Sequence, residues 1–296
     1  MSPTSSPTVI SLKSGEGLPG IHIDLGALEA PMKDALLRTS VFLGYAVRLT
    51  EGAPLASAAL DAPIHLSVGV PDPIPEEARG YYQREFKTWA IGQGLMEIDQ
   101  AYNRYLEVAL NTKADIRKFQ IARELLPHKK RYENSWNLHV EFYADAGQKS
   151  PNHDQEARFL RSLGNARNCL AHDSGVVSAN RLIEHDKMPV RWMGRDMVQA
   201  QPDGSKRIIP QDRPFIIQTG DVGLPVSVED VVRERLYAEG ERVEFSPTDL
   251  GEIIFLYQIL AMQVGGEMHR FVNEAIQSLN THLGSHREAG SATAAG

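Results

Sequence analysis

A single cysteine, Cys169, stands in the 296 residues, so no disulfide can form within one chain. That suits a reducing compartment. Long apolar runs are also missing: nothing approaches the ~18 consecutive apolar residues of a membrane span. Met1 to Thr8 is built from Ser, Pro and Thr and has neither a basic start nor an apolar core, so it does not read as a secretory signal. Positive charge is in short supply, with 31 Lys and Arg against 38 Asp and Glu, a net charge of −7. This argues against a surface wrapped in positive potential for duplex DNA, yet a small basic site on an acidic body can still handle RNA. The expectation is a cytoplasmic protein with no membrane partner. What is present is ordinary for a globular chain: 42% hydrophobic and 23% charged residues, enough for a core. The length allows one large domain or two small ones.

Hydrophobic spacing places most of the chain in helices. Residues 1–25 are expected to be disordered or extended. A first helix is expected from about Leu28 to Arg48, with Pro31 tolerated in its first turn. A proline-rich stretch from Pro54 to Pro75 follows, in which Ile64-His65-Leu66-Ser67-Val68 alternates like a short strand. Beyond Pro75 the positions Phe86, Trp89, Leu95, Ile98, Tyr102, Tyr105 and Leu106 recur at three- and four-residue steps. This predicts one long helix from about Glu76 to Asn111, softened at Gly92 and Gly94. Further helices are expected at Lys113–Leu126, stopped by Pro127, at Lys130–Ala146, and from Pro151–Asp154 to His172, with Gly175 as the terminator. That last helix carries Phe159, Leu160, Leu163, Ala166 and Leu170 on one stripe.

The texture then changes. Residues 176–246 hold short β-prone runs: Val176-Val177, Val190-Arg191-Trp192, Arg207-Ile208-Ile209, Pro214 to Ile217 and Arg242 to Phe245. Pro202-Asp203-Gly204-Ser205 reads as a hairpin turn between them. From Ser246-Pro247-Thr248-Asp249 an apolar stripe through Ile253, Tyr257, Leu260, Met268 and Ile276 marks a final helix, breakable at Gly265-Gly266. Residues 285–296 are expected to be a disordered tail. The fold class is therefore mainly α: a helical domain over 26–284 with a small β-rich insertion at about 176–246, before the C-terminal helix.

One dense polar constellation sits on a helix expected to pack in the core: Arg167-Asn168-Cys169-Leu170-Ala171-His172. Asn168 and His172 are four residues apart and share a face. Arg167 points elsewhere, but its long planar fork can swing toward them. An Arg can hold a phosphate, a His can move a proton near neutral pH, and an Asn can orient either. Plainer readings stand beside this one. His172 would favour a helix C-terminus as a cation, and Arg167 could pair with Asp173. A lone Cys169 in a packed helix is usually a small buried apolar residue rather than a nucleophile. Lys129-Lys130-Arg131 reads first as a solvated face and second as a share in RNA binding. His139 with Glu141, and His153 with Asp154, lack the His pairing of zinc helices. Gly220 to Gly223 lacks the context of a nucleotide loop. Trp89, Tyr102 and Tyr105 are expected in the core.

The run from Arg167 to His172 resembles the motif of the HEPN family: an Arg, four to six residues, then His, with a polar residue after the Arg. It ends a helix that follows an earlier long helix, and the likeness spans roughly residues 80–180, with the last helix completing it. The resemblance implies a HEPN-like helical bundle and a homodimer in which both Arg–His sets line one cleft. It also implies a metal-independent endoribonuclease, without a cofactor, of the kind that serves as a toxin in toxin–antitoxin pairs or in phage defence. An antitoxin or other regulatory partner would then restrain it. Arg167, Asn168 and His172 would be the catalytic residues. His172 would act as base or acid, Arg167 would hold the phosphate, and Asn168 would orient the His or the ribose. The 2′-OH of the RNA would attack to leave a 2′,3′-cyclic phosphate. The alternative is a HEPN-like module that keeps the motif for dimerisation or for binding a ligand or RNA. The β-rich insertion and the proline-rich N-terminal part have no place in the motif.

Overall fold

A computed structural model describes residues 10–13, 20–52, 73–122, 134–145, 147, 151–209 and 224–293. It is mainly helical, with a small antiparallel sheet inserted before the last helix. A hairpin of β1 (Ile10–Lys13) and β2 (Gly20–Ile23) comes first, followed by α1 (Leu25–Glu51), α2 (Glu76–Ala122), α3 (Ser135–Asp145) and α4 (Pro151–His172). Strands β3 (Met188–Ala200), β4 (Lys206–Ile209) and β5 (Val226–Tyr237) then form one sheet in the order β4-β3-β5, and α5 (Pro247–Thr293) completes the chain. No helix among the described residues is long and apolar enough to cross a membrane. The expected strand at Ile64–Val68, the helix end at Leu126–Pro127, the Lys129–Arg131 cluster, the run at Pro214–Ile217 and the Gly220–Gly223 turn lie outside the described residues.

The chain divides into two compact units, each assembled from separate stretches: residues 1–35, 100–157 and 257–296 in the first, 36–99 and 158–256 in the second. In the first, Tyr102, Leu106, Leu138, Phe142 and Tyr257 are buried together with polar groups. The Tyr102 hydroxyl lies 2.8 Å from His139 Nδ1, and His139 Nε2 lies 3.2 Å from Glu156 Oε2. The expected break between Asn111 and Lys113 is absent. Lys113 is fully buried, its ammonium 4.1 Å from the centre of the Phe142 ring and 3.5 Å from Asp145, so the helix continues through it.

In the second unit α1 and α2 run antiparallel. Arg38 pairs with Glu97 at 2.7 Å, and Gln83 Nε2 donates to the carbonyls of Thr50 and Gly52, each at 2.9 Å. The two glycines expected to soften α2 have a different use. A Cβ at Gly92 would lie 3.1 Å from Leu170 Cβ, and one at Gly94 would meet the Leu43 side chain at 2.7 Å. They let α4 and α1 approach α2 closely, and the helix passes through both unbroken. Trp89, expected in the core, is 59% exposed, whereas Tyr102 and Tyr105 are buried as expected.

The hairpin turn at Pro202–Ser205 forms between β3 and β4. Gly204 takes a φ of +81, and the Asp203 carboxylate accepts from the Ser205 amide and hydroxyl. Strand β5, the longest partner of β3, was not among the expected runs. Arg242–Phe245, expected as a strand, contributes only a bridge from Arg242 to Val176; Val243 and Phe245 are buried in the approach to α5. That helix opens with a capping box. Ser246 Oγ accepts from the Asp249 amide at 3.1 Å, and the Asp249 carboxylate accepts from the Ser246 amide at 2.6 Å. It continues without a break at Gly265-Gly266 and past Ser285 to Thr293, where a disordered tail was expected.

The sheet is joined to α5 by one carboxylate. Glu252 accepts from Trp192 Nε1 at 2.9 Å, from the Arg195 amide at 3.1 Å and from Arg233 at 2.9 Å. Burial alone would raise its carboxyl, but the donors from Arg233 and Trp192 outweigh that and hold it below the usual range.

Candidate functional site

Helix α4 presents the motif through its own amphipathic pattern. Phe159, Leu160, Leu163, Ala166 and Leu170 are buried as the spacing predicts, and Cys169 joins them at 0% exposure. Burial pushes the Cys169 thiol up to about 11, with Asp173 adding to the effect, so it stays protonated and inert at neutral pH. Arg167 and Asn168, at the edge of the stripe, are half-buried. His172 falls in the last turn and is exposed, where a cation would complement the helix dipole.

The helix end is closed as the sequence suggests. The amides of Asp173 and Gly175 both donate to the Cys169 carbonyl, at 2.9 and 3.0 Å. Gly175 adopts a φ of +74, a conformation that disfavours side chains, and a Cβ there would meet Thr88 at 2.8 Å. Beyond the turn, the Val177 amide donates to the Glu241 carbonyl, the Gly240 amide to the Val177 carbonyl and the Val243 amide to the Gly175 carbonyl. The C-terminal turn carrying His172 is thereby fastened at its far side.

Arg167 and Asn168 are brought together, but not in the way expected. The Asn168 Oδ1 accepts from Arg167 Nε at 3.0 Å and Nη2 at 2.6 Å, so the amide orients the guanidinium rather than the imidazole. Arg167 Nη1 donates to Asp99 Oδ2 at 2.5 Å. Asp173, the suggested partner, instead pairs with Arg181 at 3.1 Å. His172 makes no side-chain hydrogen bond among the described residues, and none joins it to Arg167 or Asn168.

Asp99 is the residue that sequence reasoning missed. Its side chain is 7% exposed and that of Arg167 is 18%. The pair neutralises the charge of the guanidinium and fixes its plane. One N–H on each nitrogen of Arg167 is engaged, which leaves two of its five donors without a partner among the described residues. The signal was a carboxylate in the buried stripe of α2, between Ile98 and Tyr102: a carboxylate there needs a cation facing it. Chemically, the arrangement is an oriented guanidinium, a group able to donate to an anionic oxygen, one helical turn and a little more from a solvent-exposed imidazole.

Two other polar features do not form a competing centre. The Tyr102–His139–Glu156 set is enclosed, and among the described residues no group of three or more His, Cys, Asp or Glu could hold a metal ion. His153 stacks on Tyr143, ring centres 3.6 Å apart, and does not join Asp154 in a ligand pair. An open hollow of about 340 Å³ beside β3 and the start of α5 is lined by Met193, Arg195, Thr248, Glu252 and Phe255. Its charges are already matched: Arg195 pairs with Asp230 at 3.0 Å and lies 4.1 Å from the centre of the Phe255 ring. No family model, no curated protein and no solved structure matches the chain.

Proposed function

We propose that the chain is a metal-independent endoribonuclease of the HEPN type, with Arg167 and His172 as its catalytic residues and Asn168 as the group that orients Arg167. The observation that carries this reading is the guanidinium itself. It is held in one plane by Asn168 and Asp99, its side chain is 18% exposed, and it precedes an exposed His172 on the same helix. A phosphate oxygen would take the two open donors. As the 2′-OH attacks, charge builds on the non-bridging oxygens, and a fork already oriented stabilises it without reorganising. His172 would take the proton of the 2′-OH or deliver one to the 5′-oxygen that leaves. The products would carry a 2′,3′-cyclic phosphate and a 5′-OH. The partners are RNA, a second subunit, and an antitoxin or other restraint if the role is in a toxin–antitoxin pair or phage defence. The site of action would be the cytoplasm.

The second reading is a non-catalytic HEPN-like module, and one observation favours it. The Asp99 carboxylate already occupies Arg167, as a purely structural ion pair would. The two are separated by incubating purified protein with RNA in EDTA, wild type beside Arg167→Ala and His172→Ala. The ribonuclease reading predicts cleavage by wild type alone. Absence of cleavage by folded wild type supports the module.

A further inference from the structure

The outer side of α4 has a composition that its packing does not require. From Ala157 to His172 the helix holds three Arg, two Asn and one His and no Asp or Glu, in a chain whose net charge is −7. Arg167 is matched by Asp99, and in the sheet Arg191, Arg195, Arg233 and Arg235 each face a carboxylate. Arg158 and Arg161 differ: both are exposed and make no hydrogen bond or ion pair among the described residues. Arg158, Arg161, Asn165, Asn168 and His172 follow one another at steps of three, four, three and four residues. They therefore share an arc of about 80°, turned away from Leu163, over about 21 Å of helix. No apolar residue interrupts this stripe. Its first acidic residue is Asp154, a turn before Arg158, and Asp173 beyond its far end is taken by Arg181. Asn168 joins the stripe to the candidate site, because its Oδ1 accepts from Arg167 Nη2 at 2.6 Å.

We propose that this stripe is a track for the sugar–phosphate backbone of single-stranded RNA, on which Arg158 and Arg161 are positioning residues that lead the strand to Arg167 and His172. The inference deepens the ribonuclease reading and rests on it for where the track ends. Unpaired guanidinium groups in water bind phosphates by releasing the counterions condensed on the strand. Two of them, separated along a helix and followed by the amide of Asn165, suit an extended polyanion better than one small anion, which a single fork would hold. The acidic remainder of the chain repels RNA, so the strand is confined to the stripe. A protein partner finds no purchase here, because docking onto a helix face needs apolar or aromatic anchors and the stripe has none. A single strand is favoured over a duplex because attack by a 2′-OH requires the backbone to rotate into line with the leaving oxygen.

The test is fluorescence anisotropy of a labelled all-2′-O-methyl single strand, which offers no nucleophile, titrated with the full chain over a salt series. Arg158→Gln, Arg161→Gln and the double variant stand beside wild type, Arg158→Lys and Arg48→Gln, with far-UV circular dichroism on each. Arg48 is also exposed, on α1, so its loss removes the same charge away from the stripe. One phosphate contact adds about 0.7 to the salt slope on a single strand, which is about 5-fold in Kd near 0.1 M salt. Each Gln variant should weaken binding by about that factor, and the double variant by roughly 25-fold with the slope lowered by about 1.4. Arg158→Lys should stay closer to wild type than Arg158→Gln, and Arg48→Gln should match wild type. No binding by folded wild type, a double variant that binds as wild type does, or an equal loss in Arg48→Gln would overturn the proposal. Cleavage of unmodified RNA by the same samples keeps the two ideas apart. Binding that depends on Arg158 and Arg161 without any cleavage leaves the track standing and removes the ribonuclease. Cleavage by a chain whose binding ignores both arginines does the reverse.

Discussion

Removing Asp99 leaves the Arg167 guanidinium half-buried without its counter-charge. Loss of one partner from a fully buried ion pair costs about 3–5 kcal/mol. Arg167 keeps Asn168 and is 18% exposed, so Asp99→Ala should cost less, about 2 kcal/mol. Arg167→Ala removes the cation facing a carboxylate that is only 7% exposed and should cost about 3 kcal/mol. The double variant should cost less than the sum, with a coupling of about 1–2 kcal/mol. Urea unfolding followed by circular dichroism measures all four corners of the cycle. A coupling under about 0.5 kcal/mol, the scatter of independent sites, would refute the placement of Asp99 against Arg167. The same variants also discriminate function: if Asp99 orients a catalytic Arg167, Asp99→Ala loses cleavage while the protein is still folded at 25 °C.

Three further outcomes are expected. Because the Glu252 carboxyl is held below its usual range, its stabilisation should be complete above pH ~5 and lost as pH falls from about 4.3 through the lower folded value; acid titration of stability should show a shallower slope there in Glu252→Gln than in wild type. Substituting Gly92→Val forces atoms into the 3.1 Å gap to Leu170 and should destabilise by about 1–3 kcal/mol in thermal unfolding; a neutral result would mean α4 does not press on α2 there. Tyr102→Phe removes the hydroxyl 2.8 Å from His139 Nδ1 in a fully enclosed site, and should cost about 1–3 kcal/mol, whereas a change below 0.5 would show that the imidazole is satisfied otherwise.

Much of α4 was legible in the sequence because a single helix carries both signals, an apolar stripe at helical spacing and a polar cluster at its edge. Its terminator was legible too, since only glycine suits the turn at Gly175. Asp99 was not, because it lies 68 residues from Arg167 and local spacing says nothing about which helix packs on which. The glycines of α2 were misjudged for the same reason: their value lies in Leu170 and Leu43, which belong to other helices. Strand β5 escaped notice because its polarity is inverted. Arg233 and Arg235 point inward to Glu252 and Asp249, while Val228, Val232 and Leu236 face out at 57%, 54% and 46% exposure. A pattern rule that expects apolar residues inside sees no strand there. Trp89 was assigned to the core by spacing alone, and spacing gives a helix two faces without saying which one is covered.

In the proposed function Arg167 and His172 direct attack by the 2′-OH of RNA. It is tested most directly by mapping the ends of RNA cut by the purified protein in EDTA, with an all-2′-O-methyl strand of the same sequence as control. The RNA should yield 2′,3′-cyclic phosphate and 5′-OH ends, with no cutting of the methylated strand and none by His172→Ala. Cleavage of the methylated strand, 5′-phosphate ends, or full activity in His172→Ala would contradict it.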